Sequence, residues 1–243
     1  MPWWNKLFSL RAAGSPVVSA RELESEIVPI RHVRNEALSR LAKDIAAFPD
    51  GHKVADLIEQ ADHGGDVWGD LYDVLCHQGS PNPVSYVVAP YLAQAAMGTG
   101  PIDRQWVATI LGDLVAGSRS DDAIPEQFRA EFEGAIALLG QIADRGVADS
   151  EPVAAGYSLA AYAQWLGRDA FAAAIQCISE GWLGVTCERC GDSVDYNLDD
   201  FSGEVDHSDL VVAMAYRHGM VDLASTLSGV LALRHDCGEP YVV

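Results

Sequence analysis

The feature that most constrains the fold is a helical period of apolar residues that recurs from about residue 20 to residue 181. Apolar residues spaced by three or four form a stripe along one face of an α-helix, so each block predicts an amphipathic helix. The stripes are Val33, Ala37, Leu41, Ile45; Val67, Leu71, Leu75; Val84, Val88, Leu92; Trp106, Ile110, Leu114; and Phe128, Phe132, Ile136, Leu139. Glycines follow these blocks where a helix is predicted to end. They are Gly79, Gly98, Gly117, Gly146, Gly167 and Gly181.

Pairing of the helices is the second regularity of this region. The predicted segments alternate in length and fall into hairpins, such as 66–78 with 83–97. Pro83, Pro125 and Pro152 stand where helices are predicted to start, because a first-turn residue needs no N–H partner. Many paired helices with short turns predict an α-solenoid of stacked helical hairpins. A compact orthogonal bundle stays the alternative, since the pairs share little sequence with one another.

The pattern changes at residue 182. The segments WLGVTC and DSVDYNL predict two short strands, because Val194 and Tyr196 alternate with polar residues. A Cys-x-x-Cys-Gly turn joins them, and two more helices are predicted at about 208–218 and 220–233.

We therefore expect an all-α fold over a single domain, 1–243. A HEAT-like helical-repeat region would cover 1–181, and 182–243 would add a small C-terminal Cys-containing β-hairpin and a final helical pair.

The Cys-x-x-Cys-Gly turn is typical of half a tetrahedral zinc site, in which the glycine lets backbone N–H groups face the thiolates. The other half is predicted in the C-terminal segment RHDCGEPYVV. The predicted ligands are Cys187, Cys190, His235 and Cys237, with His207 and Cys177 as alternatives. Four protein ligands would close the site, so any zinc would be structural and would leave no position for an activated water. A knuckle without metal stays the alternative.

Charge narrows the choice of partners. The chain has 35 acidic and 16 basic residues, a net charge of −19, and the whole excess lies in 61–243. Such a surface repels nucleic acid and anionic membranes and attracts cationic partners. A charge that only keeps the protein soluble is the alternative.

The acidic residues are densest beside the cysteine turn. Between residues 192 and 209 no lysine or arginine interrupts them. They are Asp192, Asp195, Asp199, Asp200, Glu204, Asp206 and Asp209. Like charges at this density repel one another unless a basic surface neutralises them, so we predict that they bind a basic protein. A solvated loop is the alternative.

Catalysis finds little support in the sequence. It contains no Gly-x-Ser-x-Gly, P-loop, Gly-x-Gly-x-x-Gly or His-Glu-x-x-His motif. Cys76 and His77 are adjacent, and neighbours on a helix point about 100° apart, which makes a poor nucleophile–base pair. No apolar run approaches the roughly 20 residues of a membrane span, and the N-terminus lacks a signal-peptide core, so a cytoplasmic protein is expected.

Residues 66–97 carry a family resemblance. The matching positions are Trp68, Leu71, His77, Gln78, Gly79, Ser85, Tyr86, Pro90 and Leu92. With these residues the stretch resembles a group of bacterial HEAT-like helical-repeat proteins, some of which are similar to immunity proteins of polymorphic toxin systems. Members often end in Cys-x-x-Cys-Gly knuckles, which Cys187, Cys190 and Gly191 match.

Together with the acidic segment, the resemblance implies a non-enzymatic, cytoplasmic immunity-type protein that occludes the basic cleft of a toxin or effector. The residues alone also allow a zinc-binding regulatory or scaffold protein, or a metal-dependent enzyme at the cysteine hairpin. Ser85 and Tyr86 are expected to begin a helix and to bond across the hairpin, and His77 to lie in the last turn of the preceding helix.

Overall fold

The structure is a computed structural model that describes residues 37–77, 80–98, 103–120, 124–187, 193–196 and 204–233. The chain divides into two compact units, Met1–Arg40 and Leu41–Val243, and nearly all described residues belong to the second. No described helix is long and apolar enough to cross a membrane.

The described residues are mostly helical, as the apolar stripes predict. Residues 37–45 are helical, and the helices that follow are α1 Gly51–Asp62, α2 Trp68–Leu75, α3 Pro83–Met97, α4 Arg104–Ser120, α5 Arg129–Asp149, α6 Pro152–Trp165, α7 Asp169–Ser179, α8 Leu210–Arg217 and α9 Val221–Leu231. A 3₁₀ turn, Glu126–Phe128, precedes α5. The strands form two antiparallel pairs, β1 Cys76–His77 with β2 Ser80–Pro81, and β3 Leu183–Thr186 with β4 Ser193–Tyr196.

Helix ends follow the predicted signals in part. Pro83 and Pro152 are the first residues of α3 and α6, where no N–H partner is needed. Gly167 and Gly181 have φ of 80° and 93°, the left-handed conformation expected just past a helix end. The prediction that Gly117 follows a helix end, by contrast, is wrong.

Gly117 lies inside α4. The prediction that Gly146 follows a helix end is wrong for the same reason, because Gly146 lies inside α5. At both positions another segment of the chain packs directly against the helix. A Cβ on Gly117 would lie 2.5 Å from Cγ of Pro81, and one on Gly146 would lie 2.5 Å from Oγ of Ser158. These glycines therefore serve close packing rather than a chain reversal.

Residues 66–97 form α2 and α3 with the β1–β2 pair between them, but α2 and α3 are not among the helices that pack closely, so their predicted pairing as a helical hairpin is not confirmed. The Ser85 hydroxyl donates to the carbonyl oxygen of Leu75 at 2.6 Å, which confirms the bond expected across the hairpin. Asn82 caps α3, since its side chain accepts from the N–H of Val84. The prediction that His77 lies in the last turn of its helix is wrong, because α2 ends at Leu75 and His77 belongs to β1.

Helix α6 is the centre of the packing. It lies against α4, α5 and α7, and its Leu159 is fully buried. Two of its contacts require a glycine, because a Cβ at that position would clash with the facing residue. Gly112 of α4 faces Ala161, and Gly156 of α6 faces Ser179. Contacts run between helices one and two apart along the chain, a pattern that stacked hairpins and compact bundles share.

The C-terminal part belongs to the same core. Leu183 of β3, Val211 of α8 and Leu227 of α9 pack with Leu159 and Ile175 of α6 and α7. The predicted strand pair and final helical pair are thereby confirmed, and they rest on the helical region. The β3–β4 hairpin is thus held against the helices through Leu183.

Candidate functional site

Of the predicted zinc ligands, the structure describes one. Cys187 follows β3 and is fully buried, at 0% exposure. Cys190, His235 and Cys237 lie outside the described residues. The two alternative ligands have other surroundings. The His207 ring packs edge-on against the Tyr216 ring, with the centroids 4.5 Å apart. Burial raises the pKa of the Cys177 thiol, which disfavours the thiolate. Within the part of the chain that the structure describes, no three His, Cys, Asp or Glu residues are grouped to hold a metal ion.

The acidic segment divides into exposed and engaged carboxylates. Asp195 on β4 and Glu204 and Asp206 before α8 are exposed. Asp192, Asp199 and Asp200 lie outside the described residues. The described acids therefore present charge from two places, the hairpin and the approach to α8.

Asp206 is held in one orientation. Its Oδ1 accepts from the Ser208 hydroxyl at 2.6 Å and from the Ser208 N–H at 2.9 Å. These two bonds lower the pKa of Asp206, so its carboxylate stays charged. Its own N–H donates to Oγ of Ser228 at 2.9 Å, which ties the segment to α9.

Asp209 has a structural task. Its Oδ1 accepts from the N–H groups of Val211 and Val212, at 2.9 and 3.1 Å, and so caps α8. Its Oδ2 accepts from the Arg168 guanidinium at 2.6 Å, and that guanidinium lies 4.2 Å from the centroid of the Phe171 ring. Both oxygens are thus occupied inside the molecule.

We expect Asp209→Ala to lower the free energy of unfolding by about 0.5–2 kcal/mol, the usual cost of losing such a cap. Asp209→Asn is the matched control, because asparagine caps as well as aspartate but cannot form the ion pair. Urea unfolding at neutral pH should place Asn between wild type and Ala. Equal loss in both variants would mean that the bond to Arg168, rather than the cap, carries the effect.

Exposed apolar side chains are the feature that the sequence analysis missed. Large exposed apolar residues concentrate in 182–221, the region that contains the acidic segment. They are Trp182, Val194, Leu210, Tyr216 and Val221, with Val153 and Trp165 outside it. Exposed aromatic residues beside charged ones are typical of protein-binding surfaces. The available signal was Trp182 itself, a tryptophan outside every helical stripe.

Trp182 stands between two carboxylates. Its indole N–H donates to Oε2 of Glu180 at 3.4 Å, and Oε1 of Glu180 accepts from the Tyr157 hydroxyl at 3.1 Å. On the opposite edge of the indole, Cζ3 lies 3.4 Å from where a Cβ of Gly184 would be, and Oδ1 of Asp195 lies 3.1 Å from the same point. The indole is 51% exposed.

A separate carboxylate is buried. Asp113 of α4, 8% exposed, accepts from the Tyr72 hydroxyl at 2.6 Å and from the Gln164 amide at 3.0 Å. Burial raises the pKa of Asp113, although both hydrogen bonds oppose the shift. These bonds join α2, α4 and α6.

The thiol nearest to this carboxylate is unsuited to nucleophilic attack. Cys76 is fully buried, and burial followed by the charge of Asp113 raises its pKa. A thiol must lose its proton to react, so Cys76 stays inert. His77 is exposed, on the other side of the strand.

Comparison with known proteins adds no family. No protein-family model matches the chain, and no match is found among curated proteins or among solved structures.

Proposed function

We propose that this chain is a non-catalytic protein-binding module that uses an acidic surface to engage a basic partner. The observation that carries the proposal is that exposed Trp182, Val194 and Tyr216 and the exposed acids all belong to one stretch of the chain, 182–221. At a protein interface aromatic side chains supply contact area, and carboxylates supply attraction and orientation.

Rigid support favours this use of the surface. The hairpin is anchored through Leu183 and the approach to α8 through the bond between Asp206 and Ser228. A surface that is ordered before binding loses less conformational entropy when a partner docks.

The partner class follows from charge. With a net charge of −19, this protein attracts a basic surface, such as the active cleft of a toxin or effector that acts on nucleic acid or nucleotides. We propose a cytoplasmic immunity-type role, in which a HEAT-like frame holds the acidic surface over such a cleft. The resemblance of residues 66–97 to HEAT-like proteins supports that choice.

The test is reversal of charge at the described exposed acids. The variant Asp195→Lys/Glu204→Lys/Asp206→Lys should retain at least about tenfold less of a basic partner captured from source cells, and should elute it at lower salt. The matched control is Asp56→Lys/Glu59→Lys/Glu133→Lys, which changes net charge equally at exposed acids on α1 and α5.

The two variants separate a local surface from overall charge. Loss in the first variant alone supports a binding surface in 182–221. Equal loss in both would show that net charge is responsible, and unchanged retention in both would reject the proposal.

A further inference from the structure

We infer that the indole of Trp182 is the receptor for an arginine side chain of the basic partner. The inference rests on the proposed function and names the group that the surface recognises. Its basis is an exposed indole that donates to the carboxylate of Glu180 and whose opposite edge shares a contact point over Gly184 with the carboxylate of Asp195.

The geometry suits a flat cation. A guanidinium stacks on an aromatic face and is attracted by the negative potential of the ring. Glu180 accepts from Nε1 at one edge of the indole, and Asp195 lies over Gly184 in the direction of the Cζ3 edge, so a guanidinium on the exposed face would have a carboxylate toward each side. Both carboxylate-bearing residues are exposed, as is the ring.

Glu180 keeps acceptor capacity for this cation. A carboxylate offers about four lone-pair positions. Its Oε1 accepts one bond from Tyr157 and its Oε2 accepts one from Trp182. These two bonds orient the carboxylate and leave a position on each oxygen, to which two N–H groups of a guanidinium can donate side by side.

The site is built on fixed elements. Trp182 lies directly before β3, and its backbone N–H donates to the carbonyl oxygen of Cys177 at 3.1 Å. Asp195 pairs with Gly184 in the β3–β4 ladder. Gly184 has no side chain; a Cβ there would be tight against Oδ1 of Asp195 at 3.1 Å and in ordinary contact with the indole at 3.4 Å. The ring and the acid thus lie on either side of the same backbone position of β3.

Arginine fits this arrangement better than lysine. An ammonium ion is a compact point charge that cannot lie flat on the ring while donating in parallel to a carboxylate. The site should therefore discriminate between two equally charged ligands, which a diffuse acidic surface does not do.

The experiment uses an oligo-arginine peptide and an oligo-lysine peptide of equal length, titrated into the full-length protein at low salt. Wild type should bind the arginine peptide about threefold to tenfold more tightly. With ¹⁵N-labelled tryptophan, the indole signal that disappears in Trp182→Phe should be the one that the arginine peptide shifts most. Trp182→Ala should bring the two affinities together, whereas Trp165→Ala, at an exposed ring on α6, should preserve the preference.

The failure of this inference differs from failure of the proposed function. An arginine preference that survives Trp182→Ala would overturn the receptor site, while a loss of both peptides in the Asp195→Lys/Glu204→Lys/Asp206→Lys variant would still support the acidic surface. If neither peptide binds wild type at low salt, both proposals are wrong.

Discussion

Replacing Gly112 by alanine is expected to lower the free energy of unfolding by about 1–3 kcal/mol, the usual cost of overpacking a core. Gly112 is buried where α4 crosses α6, and a Cβ there would lie 2.9 Å from both Cα and Cβ of Ala161. The Cα belongs to the backbone, so no rotamer change can relieve the contact. The two helices would have to separate, which would disturb the contacts of the central helix on both sides.

Gly134→Ala is the matched control for this substitution. Gly134 lies inside α5, is exposed, and nothing lies within 4 Å of a Cβ built on it. Because alanine restricts the unfolded chain and favours the helix, this variant should be more stable by about 0.5–1 kcal/mol. Urea denaturation measures both, and a Gly112→Ala protein as stable as wild type would show that the crossing is loose.

Glycines inside helices show why the helices could be predicted and their packing could not. Apolar stripes report the face that each helix buries, and the predicted strand pair and last two helices were found as well. A glycine has no such signal of its own. Gly117 and Gly146 look like helix ends in the sequence, and only the neighbours Pro81 and Ser158 show that they are crossing points.

The candidate site, too, could be predicted from the sequence only in part. The sequence reveals how many carboxylates a segment has, but not which of them are already bonded. Asp209 caps α8 and binds Arg168, while Asp195 is exposed, although both belong to the same acidic run. A tryptophan outside every helical stripe is a signal in the sequence, but tryptophan is highly buried on average, so the 51% exposure of Trp182 had to come from the structure.

Replacing Asp113 by alanine should lower the free energy of unfolding by about 1–3 kcal/mol at neutral pH, because it leaves donors without an acceptor. The Tyr72 hydroxyl and the Gln164 amide both donate to this carboxylate, and Gln164 is buried. Gly112, the preceding residue, allows Gln164 to approach. The polar contacts of three helices would therefore be lost together.

Asp113→Asn separates hydrogen bonding from charge. An asparagine oxygen can accept from Gln164 while its amide donates to the Tyr72 oxygen, because a hydroxyl can accept as well as donate. The variant also has no charge to desolvate. We therefore expect Asp113→Asn to be at least as stable as wild type at neutral pH, in contrast to Asp113→Ala.

The difference between Asn and wild type should depend on pH. Burial raises the pKa of Asp113 in the folded protein above its ordinary value of 3.8, so between these two values the folded state binds more protons than the unfolded state. Wild-type stability then falls as pH rises through that window, and the falling contribution is absent in the Asn variant.

The advantage of Asn over wild type should consequently grow with pH and level off once Asp113 is ionised in the folded state. Paired urea titrations of the two proteins from about pH 4, where the window opens, to about pH 8 measure this difference directly, because shifts at all other groups cancel. If Asp113→Asn is instead as unstable as Asp113→Ala, the carboxylate charge strengthens both hydrogen bonds by more than its burial costs. In that case the ionised Asp113, rather than the protonated form that burial favours, holds α2, α4 and α6 together.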